Sequence, residues 1–239
     1  ITKDPTIPFL FPDAHVYLED ALQTPTFTYV GGKYCIFQDA YIGIKAVRSD
    51  INSASCDFLN LMQNGNPLLK GIGIVAENIS SNPRTINVSS RFTNLKNGIT
   101  VKGNFDIDIS NNDYFRDISD AAIFVNCFNY YRDISIYNIM NFLKCNIGIR
   151  IHGSNMHAVN ISNNIFDNSN FIETSTGQYH NTAITVQMPL TSYRSINRDI
   201  EILENIITNY RIGIHAFNTP GITIGSKPSL TAKNIINFN

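Results

Sequence analysis

A short strand motif recurs six times along the chain, and this repetition limits the possible folds more than any other feature: Gly or Ala, then Ile, one variable residue and a small aliphatic one. Its copies begin at Gly73-Ile74, Gly98-Ile99, Ala122-Ile123, Gly148-Ile149, Ala183-Ile184 and Gly213-Ile214, with successive Ile residues 25, 24, 26, 35 and 30 positions apart. A period of roughly 20 to 50 residues marks a solenoid or array of stacked supersecondary units. Each copy is followed by a second alternating segment, carrying Ile86/Val88, Ile107/Ile109, Ile134/Ile136, Val159/Ile161, Ile200/Ile202 and Ile222/Ile224. Alternation with period two puts each pair on one face of a strand. A third element follows most of these, clearest at Asn164-Ile165-Phe166-Asp167-Asn168 and Asn205-Ile206-Ile207-Thr208-Asn209. Weaker copies are Ser90-Arg91-Phe92-Thr93-Asn94 and Asn138-Ile139-Met140. Three short strands per period describe one triangular coil, and stacking such coils builds a continuous Ile core.

Composition agrees. Of 239 residues 36 are Ile and 31 are Asn, and Trp is absent. Asn tolerates left-handed backbone and can hydrogen-bond along a stack, so it suits the corners between strands. No Asn precedes Asn52. On that ground residues 1–70 are expected to form a non-repetitive cap, arm or linker, and residues 71–239 the stacked region. Pro5, Pro8, Pro12 and Pro25 break up the early segment. At the other end, Ile235-Ile236 has no obvious cap, so further residues or a neighbouring chain are expected to cover it. A leucine-rich repeat would need Leu at fixed places and a helix per period, and a calcium-binding β-roll would need G-G-x-G-x-D; neither pattern is present.

The run Ile147-Gly148-Ile149-Arg150-Ile151 followed by HGSNMHAVNISNNIFDN, His152 to Asn168, resembles the right-handed parallel β-helix superfamily, which includes pectate-lyase-like enzymes and phage tailspikes. The resemblance covers roughly residues 71 to 226. It implies an all-β, right-handed parallel β-helix of about six or seven coils with a non-repetitive N-terminal segment.

Charge narrows the partners. With 18 Lys plus Arg against 19 Asp plus Glu, the net charge of -1 offers no broad basic surface for nucleic acid or an anionic membrane. Apolar runs such as Ile72-Gly73-Ile74-Val75-Ala76 fall far short of the roughly 20 residues that span a bilayer, so no membrane insertion is expected. Cys35, Cys56, Cys127 and Cys145 show no C-x-x-C pairing and no zinc-ligand spacing, so buried free thiols are expected and no metal is assigned.

Residues between the inward Ile point outward. On the first strand they form the columns Val75, Thr100, Phe124, Arg150, Thr185, His215 and Glu77, Lys102, Asn126, His152, Gln187, Phe217. Phe124, Arg150, His152, His215 and Phe217 combine flat rings with hydrogen-bonding groups, as sugar binding requires; the alternative is an ordinary solvated sheet face. On the second strand, Asp106, Asp108 and Asp133 form the tightest acidic group. Carboxylates one strand spacing apart would sit about 5 Å from each other, close to the separation in retaining glycosidases. They are candidate catalytic acids. The same three could instead hold Ca2+ or pair with Arg116 and Arg132. From Ile161 to Ile202 is 41 residues, longer than neighbouring intervals, so loops are expected around Phe171 to Asn181 and Met188 to Arg198. Their Tyr179, Tyr193 and Arg194 suit a sugar cleft or a protein interface.

Polygalacturonase-like N-T-D, D-D, G-H-G and R-I-K motifs are absent, as are pectate-lyase-like W-I-D-H and R-x-P-x-x-R runs. Tailspikes use scattered acids without a short signature. The resemblance therefore implies a glycan-recognising protein similar to a tailspike or receptor-binding virion protein, extracellular or on a virion, binding a bacterial surface polysaccharide as a homotrimer or larger assembly. The first alternative is a secreted polysaccharide hydrolase or lyase using Asp106, Asp108 or Asp133; the second is a structural virion or adhesin component.

Overall fold

The computed structural model describes residues 14–21, 23–28, 35–38, 40–62, 68–111, 114–127, 132–153, 156–169, 181–188, 199–219, 221–225 and 235–237. Among them every regular element is a β-strand. In chain order these are β1 (Ala14–Glu19), β2 (Thr26–Phe27), β3 (Cys35–Phe37), β4 (Ile42–Val47), β5 (Ile51–Leu59), β6 (Ile72–Asn78) and β7 (Arg84–Thr93). They continue with β8 (Asn97–Gly103), β9 (Phe105–Ser110), β10 (Phe115–Arg116), β11 (Ala121–Asn126), β12 (Arg132–Tyr137), β13 (Phe142–Leu143) and β14 (Ile147–His152). The last are β15 (Met156–Ser162), β16 (Ile165–Asp167), β17 (Thr182–Gln187), β18 (Asp199–Leu203), β19 (Ile206–Thr208), β20 (Ile212–Phe217), β21 (Ile222–Ile224) and β22 (Ile235–Asn237).

Two sheets hold them all. The first runs β1-β4-β6-β8-β11-β14-β17-β20; the second has fourteen strands and turns a corner inside β7, which pairs β9 through Arg84–Val88 and β10 through Phe92–Thr93. Every pairing between these strands is parallel. The chain visits the first sheet, then the second, then returns one position further along the first, which is the progression of a β-solenoid.

Ile44, Ile74, Ile99, Ile123, Ile149, Ile184 and Ile214 align one above another across the first sheet. A second ladder consists of aromatic rings. Phe37, Phe58, Phe92, Phe115, Phe142 and Phe166 stack with centroids 4.7, 4.8, 4.7, 5.1 and 4.4 Å apart and planes within 7° of parallel. Opposite the rings lie the Gly residues of the repeat motif. A Cβ on Gly98 would fall 2.7 Å from ring carbons of Phe115 and 2.6 Å from the carbonyl oxygen of Ala122; Gly43, Gly73 and Gly148 meet Phe58, Phe92 and Phe166 in the same way. At these four levels the Gly before the Ile makes room for a ring, whereas Ala122 and Ala183 carry a Cβ at the equivalent place.

Stacking extends beyond the expected N-terminal boundary. β1 and β4 belong to the first sheet and β2, β3 and β5 to the second, so residues 14–62 include strands of the same ladders and are not free of the repeat. Gly43-Ile44-Lys45-Ala46 matches the strand motif, and this segment takes left-handed backbone at Asp20 (φ 47°), Arg48 (φ 49°) and Ser55 (φ 55°) as well as at Asn60 (φ 49°). The third strand after β12 is Phe142–Leu143, not Asn138-Ile139-Met140; Ile139 is buried but Met140 is 67% exposed.

At the later corners Asn111, Asn138, Asn163 and Asn209 are left-handed, and the neighbouring Asn side chains form a buried ladder. Asn164 Nδ2 donates to the Ile136 carbonyl (3.1 Å) and to Asn205 Oδ1 (3.0 Å), while Asn164 Oδ1 accepts from the Ile139 amide (3.1 Å). Asn205 Nδ2 in turn donates to the Ile161 carbonyl (2.9 Å). Both side chains are fully buried, so Asn164→Ala, which orphans the Ile136 carbonyl and the Ile139 amide, is expected to destabilise the protein by about 2–4 kcal/mol. Urea unfolding of the variant checks this; a loss under about 0.5 kcal/mol would contradict a ladder that bears on stability.

Candidate functional site

The outer columns of the first sheet are aligned as the repeat requires. Val75, Thr100, Phe124, Arg150, Thr185 and His215 are consecutive register partners, as are Glu77, Lys102, Asn126, His152, Gln187 and Phe217. The face is less open than a solvated sheet, for Val75 is 6%, Thr100 7% and Thr185 0% exposed. Thr185, between Arg150 and His215 in its column, has an Oγ1 with no hydrogen-bond partner among the described residues.

The side chains at the centre of this face touch one another. The Arg150 guanidinium carbon lies 5.8 Å from the centroid of Phe124, and Phe124 meets His152 edge to face at 5.5 Å. Asp120, just before β11, places a carboxylate oxygen 3.5 Å from Arg150 and accepts from Asn97 Nδ2 at 3.2 Å. Arg150 is thus clamped between a ring and a carboxylate, with only 19% of its side chain exposed. Burial, and secondarily the charge of Arg150, lower the His152 pKa below its ordinary value. One strand pair away, His215 and Phe217 stack at 6.5 Å. Tyr179, Tyr193 and Arg194 lie outside the described residues.

On the second sheet Asp106 and Asp133 are neighbours, since Ile134 pairs with Ile107 on the adjoining strand. Asp106 and Asp108 alternate on β9, where Asp108 is the register partner of Asn87 and Ser135. Asp133 falls at an irregularity: Arg132 pairs with Met156 but Ile134 with Val159, so β15 carries one extra residue there. Such a bulge re-aims side chains. His157, one of the bulged residues, places Nδ1 2.7 Å from Asp133 Oδ1. The Asp133 amide still reaches Asp106 Oδ1 at 3.5 Å, and Arg132 lies 3.9 Å from the same oxygen. Tyr137 donates to Asp108 Oδ2 at 3.4 Å. Each acid therefore has its own partner, and the three are not a uniform stack of like charges. Arg116, another suggested partner, lies on β10 and forms no ion pair with them. Among the described residues no three His, Cys, Asp or Glu side chains converge as a bound cation would need.

Asp120 and His157 were missed in the sequence because neither occupies an alternating position. Asp120 precedes its strand, and His157 is visible only as one residue too many between the Arg132 and Ile134 levels. All four cysteines are free, with burial pushing the Cys127 thiol up to about 12.

No protein-family model, curated protein or solved structure matches this chain.

The lowered His152 pKa has a consequence for stability. The folded protein holds fewer protons on this ring than the unfolded chain does, so its contribution falls away as pH drops below the ordinary His value of about 6.5. NMR titration should place His152 below that value, and Arg150→Gln should raise it. A midpoint at or above the ordinary value would contradict the packing of this face.

Proposed function

We propose that this protein recognises a bacterial surface polysaccharide on the outer face of its first sheet. In this reading the strands close into a right-handed parallel β-helix, one coil for each of the eight strands of that sheet. The carrying observation is the Phe124, Arg150 and His152 cluster, held by consecutive strands at the fixed spacing of a parallel sheet. A ring offers its face to the apolar side of a sugar, and the guanidinium and imidazole offer donors to hydroxyls and acids. Asn126, Gln187 and Lys102 continue the second column with amide and ammonium groups, matching an extended polymer rather than a small ligand. Phe217 and His215 provide a further sugar-sized contact at the end of the same face. The reading makes the protein similar in role to a tailspike or receptor-binding virion protein, outside the cell or on a virion, assembled as a trimer.

Binding is tested by titrating purified lipopolysaccharide O-chains and capsular polysaccharides into the protein. Phe124→Ala and Arg150→Ala should each weaken binding by roughly fivefold to a hundredfold, since a stacked or charge-assisted contact is worth about 1–3 kcal/mol. Arg116→Ala, on the second sheet, should leave it unchanged. No binding to any of these polysaccharides by the unaltered protein would overturn the proposal. Sedimentation equilibrium should give three times the chain mass of 26.8 kDa.

A second reading, polysaccharide hydrolysis on the other sheet, is favoured by the Asp133–His157 pair beside Asp106 and Arg132. It requires that reducing ends appear on incubation with polysaccharide and that Asp106→Asn with Asp133→Asn abolish them. Turnover retained by that double variant would remove these residues as the acid and base.

A further inference from the structure

We propose that Cys35 and Cys56 form a reversible cross-strand disulfide that staples β3 to β5. The two residues are direct register partners on adjacent parallel strands. Each lies two residues before a stacked ring, Phe37 or Phe58, so period-two alternation turns both side chains to the ring side of the strands. Register partners sit about 4.8 Å apart, inside the Cα window of roughly 4.4–6.8 Å that a disulfide accepts. Burial chiefly pushes the Cys56 thiol up to about 11; a Ser53 hydrogen bond opposes this and the neighbouring Cys35 adds to it. Among the described residues the other two cysteines have no cysteine as register partner. Cys127 Sγ contacts the His152 carbonyl at 3.6 Å, and Cys145 Sγ the Phe115 carbonyl at 3.4 Å.

The position gives the bond a purpose. β2 and β3 are two and three residues long, and among the described strands each pairs only with β5. Such short pairings are weakly held and would open locally before the long ladders do. A covalent tie at Cys35 secures the first ring of the Phe ladder against the second.

A small-molecule disulfide such as oxidised glutathione supplies the oxidant. Cys35, the more exposed of the two, attacks one sulfur as its thiolate, forms a mixed disulfide and releases one glutathione thiolate. The Cys56 thiolate then attacks Cys35 Sγ, closes the intramolecular bond and releases the second glutathione. Two protein thiols are oxidised, one glutathione disulfide is reduced to two thiols, and the two protons pass to the leaving thiolates.

The test uses the full chain equilibrated with a series of glutathione redox ratios, acid-quenched, unfolded and alkylated. Intact mass should show a species about 2 Da lighter before alkylation, with two alkylatable thiols instead of four, and peptide mapping should join Cys35 to Cys56. Cys56→Ser should instead accumulate the glutathione adduct on Cys35, about 305 Da heavier, because no resolving thiol remains. Amide exchange over β3 should slow by at least about tenfold on oxidation of the unaltered protein, with no change in Cys35→Ser. Four alkylatable thiols at every ratio, a persistent glutathione adduct on the unaltered protein, or a cross-link through Cys127 or Cys145 would each overturn the proposal.

Discussion

The packing of a Phe ring against a Gly on the facing strand is the contact on which the rest of the structure depends. Ring separations of 4.4–5.1 Å match the spacing of about 4.8 Å between hydrogen-bonded strands. One ring per level therefore stacks without stretching the backbone ladder, and each stacked pair adds roughly 0.5–1.5 kcal/mol beyond burial. A one-residue slip of any strand would turn its ring outward and bring a β-carbon where the next ring needs space. Register is set by both partners together. Ile ladders alone would tolerate more, since Ile and Val replace each other along the second sheet at Val159 and Ile200.

With the interior held to one register, the exterior becomes a grid. Phe124, Arg150 and His152 are brought together because Ile123, Ile149 and their neighbours leave no alternative alignment. A recognition face built this way has little ordering left to do on binding. Where the grid is broken, at the bulge in β15, His157 and Asp133 are re-aimed toward each other. The two candidate chemistries thus arise from opposite features, one from regularity and one from its interruption.

The repeat, both outer columns of the first sheet and the corner role of Asn were legible because each follows from a period of two within strands and a recurring period along the chain. Three features were not. Among the described residues, the strands before residue 71 have Asp20, Arg48 and Ser55 at left-handed positions and Asn only at Asn60, so a search keyed to Asn passed over them. The Phe ladder was hidden because β10 and β13 are only two residues long, and Phe115 and Phe142 have no alternating neighbours to mark them. Asp120 became visible as the partner of Arg150 only once neighbouring levels were superposed.

A double-mutant cycle between Gly98 and Phe115, read by urea unfolding, tests the ring-against-glycine contact most directly. Gly98→Ala should destabilise the protein by about 1–3 kcal/mol, from overlap with the ring and with the Ala122 carbonyl. In the Phe115→Leu background the ring overlap is gone, so the same change should cost less, with a coupling energy of at least about 0.5 kcal/mol. Additivity within about 0.3 kcal/mol would show that the glycine does not serve the ring, and would contradict the account.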